Sequence, residues 1–564
     1  MTAQTKAIEV AYFSMEIMLE SDIPTYAGGL GILAGDVLRS CADMKIPACG
    51  VSLVYSGATF NQVIHTNGTQ SFTEANWQKS DQLTKLSDRV EIKIMNTPVL
   101  VSVWRYDIVG IGGFVVPVYL LDTDFIENPE WIREITKYLY DSSPNMRISQ
   151  EIVLGIGGVE LLSKLGYEVQ TYHMNEGHCS FVPLALLPKY NFQDDEVRKK
   201  CVFTTHTPVP EGHDQFSWDE AYKYAGDYLP WHIKSLTGEE TMHMSRLAIS
   251  LSKKTFAVSI KHKEVTGNMF PNHDFDYVTN GVHHRTWLSS PMQDLLTTYI
   301  PGWIDDPSLL RWSPDKIPTD ALWSAHRESK RQLISYVNAR LTSGVTEEDR
   351  QNPQKEELFD LATLTISLAR RPVAYKRPLL LYSDLHRFMR IGVGKIQIIQ
   401  CGKSHPKDDV SQGYVKEILR LSKKLRTLLK IVYLENYSPK IARLLVSGSD
   451  VWLNNPKRPL EASGTSGMKA AMNGVVNFSV LDGWYLEGHK TNPQAGFTIG
   501  PDHGESNDTE DSNDLYEKLQ TQVIPMYYDH RTEWVNRMKQ AITLGAYFNT
   551  HRVVKEYREK GWKK

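Results

Sequence analysis

The residues with most to offer chemically lie in Glu461-Ala-Ser-Gly-Thr-Ser-Gly-Met-Lys469, which runs on into Ala-Ala-Met-Asn473-Gly474. Small polar turn formers ahead of an Ala/Met run predict a loop entering a helix, with Thr465 or Ser466 as N-cap. Free backbone N–H groups and the helix dipole at such a start attract a phosphate. Lys469 stands about one turn further in, so its amine can approach whatever the loop holds. A lysine so placed suits a point-charge phosphate contact, or a Schiff base to a phosphorylated aldehyde. Taken alone, the stretch reads more simply as a capped surface helix with a solvated lysine. The rest of the chain shifts that balance.

Leu368-Ala-Arg370-Arg371-Pro-Val-Ala-Tyr-Lys376-Arg377 directly follows a predicted strand. Its cations could form a solvated face, but they sit at a strand exit, and Pro372 keeps the loop irregular. Arginine forks combined with lysine point charges suit two phosphate groups at close range. Cys401-Gly-Lys403-Ser-His-Pro406 and Glu435-Asn-Tyr437 also follow predicted strands. Residues just past strand ends are where open α/β sheets place ligands. In the first half, the glycines of Pro24-Thr-Tyr-Ala-Gly28-Gly29-Leu30-Gly31 would let backbone approach a phosphate or sugar, although GxGxxG is not matched. Tyr172–His178 and Val202–His213 each run from a strand into a polar loop. Their histidines lack the HExxH spacing, so no metal is expected.

These segments must be positioned by alternating strands and helices. Strands are predicted at 8–13, 48–55, 99–103 and 114–121, then at 364–368, 395–400, 430–434, 451–454 and 475–481. A helix is predicted up to Cys41, another from Gly158 to Leu165, and a charged helical stretch over 313–357. Such alternation implies parallel sheets covered on both faces. The expected fold is α/β with two Rossmann-like domains facing a deep cleft. The expected division is 1–282, 283–540, and a C-terminal helix over 541–564 that packs back on the first domain. Net charge of −3 over 564 residues gives no reason to expect nucleic acid or an anionic membrane. Five scattered cysteines suggest neither disulfides nor zinc. No signal peptide or apolar span of about 20 residues is visible, so a cytoplasmic protein is expected.

Together these motifs resemble the α-glucan phosphorylases (glycogen, starch and maltodextrin phosphorylases), in their shorter form. The resemblance rests on the Glu461–Lys469 segment with Asn473-Gly474 and Leu481-Asp482-Gly483, and on Arg370-Arg371-(x4)-Lys376-Arg377. It rests also on Leu434-Glu-Asn-Tyr437, Thr279-Asn280-Gly281, Asn175-(x2)-His178, Thr205-His206-Thr207 and Gly28-Gly29-Leu30-Gly31. It implies the GT-B arrangement, with pyridoxal 5′-phosphate held by Lys469 as an imine. Thr465, Arg370 and Tyr437 would surround the cofactor phosphate. Arg371, Lys376 and the Gly28-Gly29 backbone would bind inorganic phosphate. Glu461, Ser463, Gly464, Asn280, His206 and Leu30 would contact the glucosyl unit, with the His206 carbonyl beside the anomeric carbon.

The implied reaction is retaining phosphorolysis of an α-1,4-glucan to α-glucose 1-phosphate. The cofactor phosphate, with a second pKa of about 6, would relay a proton. Arg371, Lys376 and His206 are then the expected catalytic residues. Many members carry Asn where this chain has Gly467, which is expected to loosen a backbone contact to the cofactor. Long members carry His-Glu where it has Val373-Ala374. The main alternative is a nucleotide-sugar glucan synthase of the same fold, although the Lys-x-Gly-Gly-Leu start of such synthases is absent. A silent glucan-binding protein and a metal hydrolase are further alternatives. A glycosidase would need paired carboxylates; no clear pair is visible, and only Glu176 and Glu461 stay open for that role. The preferred glucan and the oligomeric state, a homo-oligomer included, stay open.

Overall fold

A computed structural model describes residues 6–57, 60–65, 67–74, 77–141, 143–343 and 358–563. They fall into two compact units, the first drawn from 1–59, 74–283 and 550–564, the second from 60–73 and 284–549. In chain order the first half supplies β1 (Lys6–Phe13), β2 (Ala48–Leu53), β3 (Phe60–Ile64), β4 (Gln70–Glu74), β5 (Thr84–Ile94), β6 (Thr97–Val109), β7 (Val115–Asp122), β8 (Tyr167–Asn175) and β9 (Cys201–Thr204). Then come β10 (Gln215–Phe216), β11 (Met242–His243), β12 (Lys254–Ala257) and β13 (Asp276–Tyr277). The second half supplies β14 (Leu364–Ala369), β15 (Ile396–Cys401), β16 (Lys430–Leu434), β17 (Val451–Asn454), β18 (Val476–Val480) and β19 (Gly496–Ile499).

The first unit's main sheet has the order β13-β12-β9-β8-β1-β2-β7-β6-β5. It is parallel as far as β7, and β6 and β5 close one edge antiparallel. Alternate residues of β1 face opposite cores: Ala11 and Phe13 join one apolar cluster, Val10 and Tyr12 the other. Burial on both faces is why these strands read as continuous apolar runs. Strand order reverses between β1 and β8, which places Ser14–Glu16 beside Asn175–His178 at a topological switch point.

The segment 550–564 belongs to this first unit. Trp562 Nε1 donates to His173 Nδ1 at 2.8 Å, and Thr171 Oγ1 donates to the Trp562 carbonyl at 3.0 Å. Arg558 forms a bidentate pair with Glu9, at 2.6 and 2.8 Å. Burial drops the His173 pKa to about 3, so its ring stays neutral and can accept the indole N–H.

The second unit's sheet is wholly parallel, in the order β16-β15-β14-β17-β18-β19. This is the doubly wound order, with its switch point between β14 and β17. Below it lies a buried ionic knot. Lys330 Nζ donates to Asp450 Oδ2 at 2.5 Å, to the Thr363 carbonyl at 2.7 Å and to the Tyr527 hydroxyl at 3.0 Å. His326 completes it at 2.9 Å from Asp450 Oδ1.

The helical expectation over 313–357 is met by helices Ser313–Lys316 and Thr319–Ser343; 344–357 lie outside the described residues. Sequence reading missed β5, the short pair β10 and β11, β12, β19 and the hairpin β3–β4. That hairpin belongs to the second unit although it is encoded in the first half.

Candidate active site

In the second unit, β14 delivers Arg370 to the switch point. Its Nη1 donates to Asn454 Oδ1, at the end of β17, at 2.7 Å, and its Nη2 donates to Asn455 Oδ1. The guanidinium thus spans the two strands between which the crevice opens. Burial depresses the Arg370 pKa to about 10, with Glu461 opposing and Arg377 assisting, so it stays cationic near neutral pH. Arg371 turns the other way. Its side chain is 61% exposed, with Asp408 Oδ2 at 3.9 Å from Nη2. The structure therefore does not bring Arg371 together with Lys376.

Lys376 is brought to the loop that follows β17. Its amine forms a short ion pair with Glu461 Oε2, and both side chains are largely buried. Burial works against the lysine's charge, but Glu461 and Tyr375 outweigh it, and its pKa is raised. Asp482 supports the same loop: Oδ2 accepts the Glu461 N–H and Oδ1 the Gly483 N–H, each at 2.9 Å. Burial lifts the Asp482 carboxyl to about 7, with those N–H bonds pulling against it. Gly464 has φ +82, and a Cβ there would lie 3.1 Å from Glu461 Cγ. A glycine at this turn thus lets the Glu461 side chain fold under it. Ser463 is 3% exposed, and among the described residues its Oγ has no hydrogen-bond partner. A buried, unpaired hydroxyl in a loop this well supported suits a ligand.

Lys469 lies on the helix Ser466–Met472, only 5% exposed, with its amine 3.6 Å from the centroid of the Trp287 ring. The solvated-lysine reading therefore fails. Asn473 fixes this contact, because its Nδ2 donates to the Trp287 carbonyl at 2.9 Å and its Oδ1 accepts the Ser289 N–H at 3.0 Å. Thr465 occupies the N-cap position, but its side chain makes no capping bond and its backbone is already αR. Its hydroxyl does not cap the helix. Gly467 has a packing reason: a Cβ there would meet Asn477 Oδ1 at 2.5 Å and Trp484 Cζ2 at 2.9 Å. Tyr437 is half-buried against the cluster holding Ala369, Cys401 and Ala470.

The first unit holds the remaining predicted residues. Gly28 precedes the helix Gly29–Asp43 in extended conformation, and Cβ atoms at Gly28 or Gly29 would meet nothing within 4 Å. Among the described residues no side chain forbids a larger residue there, so close approach of a ligand is what these glycines permit. Glu16, however, already accepts the N–H groups of Ala27 at 2.6 Å and Gly28 at 3.0 Å. Any anion at this helix start is left with N–H groups from Gly29 onward. His206 Nε2 hydrogen bonds with Asn175 Oδ1 at 2.7 Å, and burial and neighbouring histidines hold its pKa well below normal. A neutral imidazole cannot serve as an acid here. Asn280 is 4% exposed, and among the described residues its Oδ1 has no partner.

Glu176 sits at φ +83, strained for a non-glycine residue. Its carboxylate accepts from Gly177 N at 3.0 Å, His206 N at 2.7 Å, Thr207 Oγ1 at 3.0 Å and Thr205 Oγ1 at 3.3 Å. It braces the His206 loop, while Glu461 is paired with Lys376. Neither carboxylate is disposed as a glycosidase acid. Sequence reasoning missed Trp287, Asn454, Asn455 and Glu16 as parts of these sites. The role of Asp482 in the Leu481-Asp482-Gly483 motif becomes apparent only from its bonds to the Glu461 and Gly483 N–H groups. Asn454 and Asn455 were traceable, since polar residues closing an apolar strand next to a predicted switch point invite that question.

Residues 211–514 match the family described as carbohydrate phosphorylase. Over 98% of its length this chain is 36% identical to a maltodextrin phosphorylase of Thermococcus litoralis, covering 70% of that protein. It is 35% identical to a glycogen phosphorylase of Aquifex aeolicus, over 98% of this chain and 86% of that protein. An uncharacterized protein of Methanocaldococcus jannaschii is 32% identical over 98% of this chain and 99% of its own length. Among the described residues no helix is long and apolar enough to cross a membrane.

Proposed function

Because this chain belongs to the carbohydrate phosphorylase family, we propose that it cleaves α-1,4-glucans with inorganic phosphate, using pyridoxal 5′-phosphate held on Lys469. The observation that carries this reading is a buried lysine in the same loop-and-helix segment as Glu461, whose partner Lys376 comes from the exit of β14. An amine shielded from water beside an aromatic ring suits a phosphorylated aldehyde. The cationic Arg370 supplies donors for anionic oxygens, and the unpartnered Ser463 hydroxyl is left for a sugar hydroxyl. The donor set fits the cofactor.

When bound, that cofactor supplies a phosphate whose second pKa of about 6 allows proton exchange near neutral pH. The protein's own residues do the rest. Arg370 offsets one phosphate and Lys376 a second, since two adjacent phosphates repel strongly unless cations intervene. Lys376 must share its charge between Glu461 and the incoming phosphate. Exposed Arg371 is free to turn toward that phosphate. Glu461, the Ser463 hydroxyl and the Gly464 backbone hold sugar hydroxyls. In the first unit, the buried Asn280 Oδ1, without a partner among the described residues, is an acceptor suited to a sugar hydroxyl. His206, neutral, transfers no proton.

In the proposed reaction the C1–O glycosidic bond breaks and a phosphate oxygen bonds to C1 on the same face. The proton carried by the attacking hydrogen phosphate ends on the departing sugar oxygen. Incubation with maltodextrin and phosphate should release α-glucose 1-phosphate. Dependence on ADP-glucose or UDP-glucose, with no pyridoxal phosphate in the purified protein, would instead indicate a synthase.

A further inference from the structure

The hairpin β3–β4 carries a buried amide that the reaction above does not use. Phe60–Ile64 alternates, with Asn61 and Val63 exposed and Gln62 and Ile64 buried. Gln62 is 0% exposed, an unusual position for a glutamine on a two-stranded hairpin. Its backbone N–H donates to Asn436 Oδ1 at 2.6 Å, and the Asn436 N–H donates back to Gln62 Oε1 at 3.2 Å. Its Nε2 donates to Gln70 Oε1 at 2.6 Å, and that oxygen also accepts from Ser404 Oγ at 3.0 Å. Ile64 N–H donates to Glu435 Oε2 at 3.1 Å. The Phe60 ring meets His405 edge-on, with centroids 6.2 Å apart.

Asn436 has φ +56, a left-handed conformation that a loop residue keeps only when its surroundings hold it. The hairpin therefore grips the loops leaving β15 and β16, the two strands on one side of β14. Those loops carry Lys403 and Tyr437, next to the Arg370 exit. Gly402 lies so close to that exit that a Cβ would approach the Arg370 carbonyl to 2.2 Å.

We propose that Gln62 is a positioning residue: it holds the 402–405 and 435–437 loops in the shape in which the second unit receives phosphate. The inference rests on the functional reading above. Its test uses full-length protein carrying Gln62→Met, which keeps volume and removes both amide functions. Asn436→Gly is the partner variant, removing the side chain from the loop side while tolerating positive φ.

Each variant should raise KM for phosphate about five- to tenfold, the effect of losing one or two buried hydrogen bonds, while kcat changes by less than about twofold. Hydrogen–deuterium exchange at 435–437 should accelerate in both. Unchanged KM and unchanged exchange in folded variants of an active enzyme would overturn the proposal. A lowered Tm with unchanged KM would overturn it too, leaving the hairpin a purely structural clasp. If the wild type makes no glucose 1-phosphate, the functional reading fails instead. Exchange at 435–437 then decides alone whether Gln62 holds the loop.

Discussion

Replacing Gly467 by alanine sets two effects of opposite sign against each other. Gly467 is the second residue of the helix Ser466–Met472, so alanine would bring at most about 1 kcal/mol of helix propensity. Against this stands the space available. The new Cβ would lie 2.5 Å from Asn477 Oδ1 and 2.9 Å from Trp484 Cζ2, so neighbours must retreat by roughly an ångström from ordinary contact. Neither can do so cheaply. Asn477 and Trp484 are each 1% exposed, and Asn477 Nδ2 is tied to the Gly467 carbonyl at 3.0 Å. Overpacking of this kind costs about 1–3 kcal/mol, and the strained hydrogen bond about 1 more. The net expectation is a loss of about 1–3 kcal/mol, read as a lower urea midpoint at unchanged m-value. Gly467→Asn should lose more. Asn477→Ala should couple with Gly467→Ala, because it removes the nearer obstacle. If Gly467→Ala matches or exceeds wild-type stability, packing does not explain this glycine, and a loosened cofactor contact becomes the better account.

Lys469→Ala should purify without pyridoxal phosphate, checked by absorption and by cofactor release in alkali; retained cofactor would refute the assignment. Arg371→Ala should fold normally yet lose most phosphorolysis, measured as glucose 1-phosphate release, whereas wild-type rates would place the phosphate away from it. Asp482, lifted to about 7 by burial, binds its proton more tightly folded than unfolded. Its stabilisation is therefore complete below about pH 4, is lost as pH rises toward 7 and is then flat, a span of a few kcal/mol. Asp482→Asn should flatten that segment of a Tm-versus-pH curve, and an identical slope in both proteins would contradict it. Lys330→Met, which leaves Asp450 buried without its cation, should cost about 3–5 kcal/mol in urea unfolding. A variant as stable as wild type would show that His326 alone satisfies the carboxylate.

Much of the second sheet was legible because its strands are apolar on both faces and each ends in a polar or glycine-marked exit. Leu364–Ala369, wholly buried and followed at once by two arginines, needed no tertiary information to be recognised. The switch point followed less directly, since strand order depends on crossovers that periodicity does not encode. The partners of the charged residues were not legible. Arg370 and Arg371 are neighbours of one type, yet one bridges Asn454 and Asn455 while the other faces solvent near Asp408. That choice is made by the direction in which the chain leaves β14. The hairpin was missed for a related reason. Gln62, Gln70 and Asn61 make Phe60–Glu74 look like a polar loop, and it is a strand pair only because another part of the chain supplies its buried face. The aromatic ring over Lys469 lies far away in sequence, so spacing carried no trace of it.

The segment 550–564 has a consequence for biosynthesis. The first unit's strand β8, beside the central strand β1, presents His173 to an indole encoded at position 562, while β3–β4 is made early and belongs with strands made much later. On a ribosome emitting residues in order, neither half can reach its final packing by itself. The early half waits for the helical segment 550–564, and the hairpin waits for β15 and β16. A nascent chain halted anywhere before that segment would expose β-sheet surface to chaperones. Cutting the gene at the apparent midpoint would therefore yield two fragments that each lack a piece the other encodes.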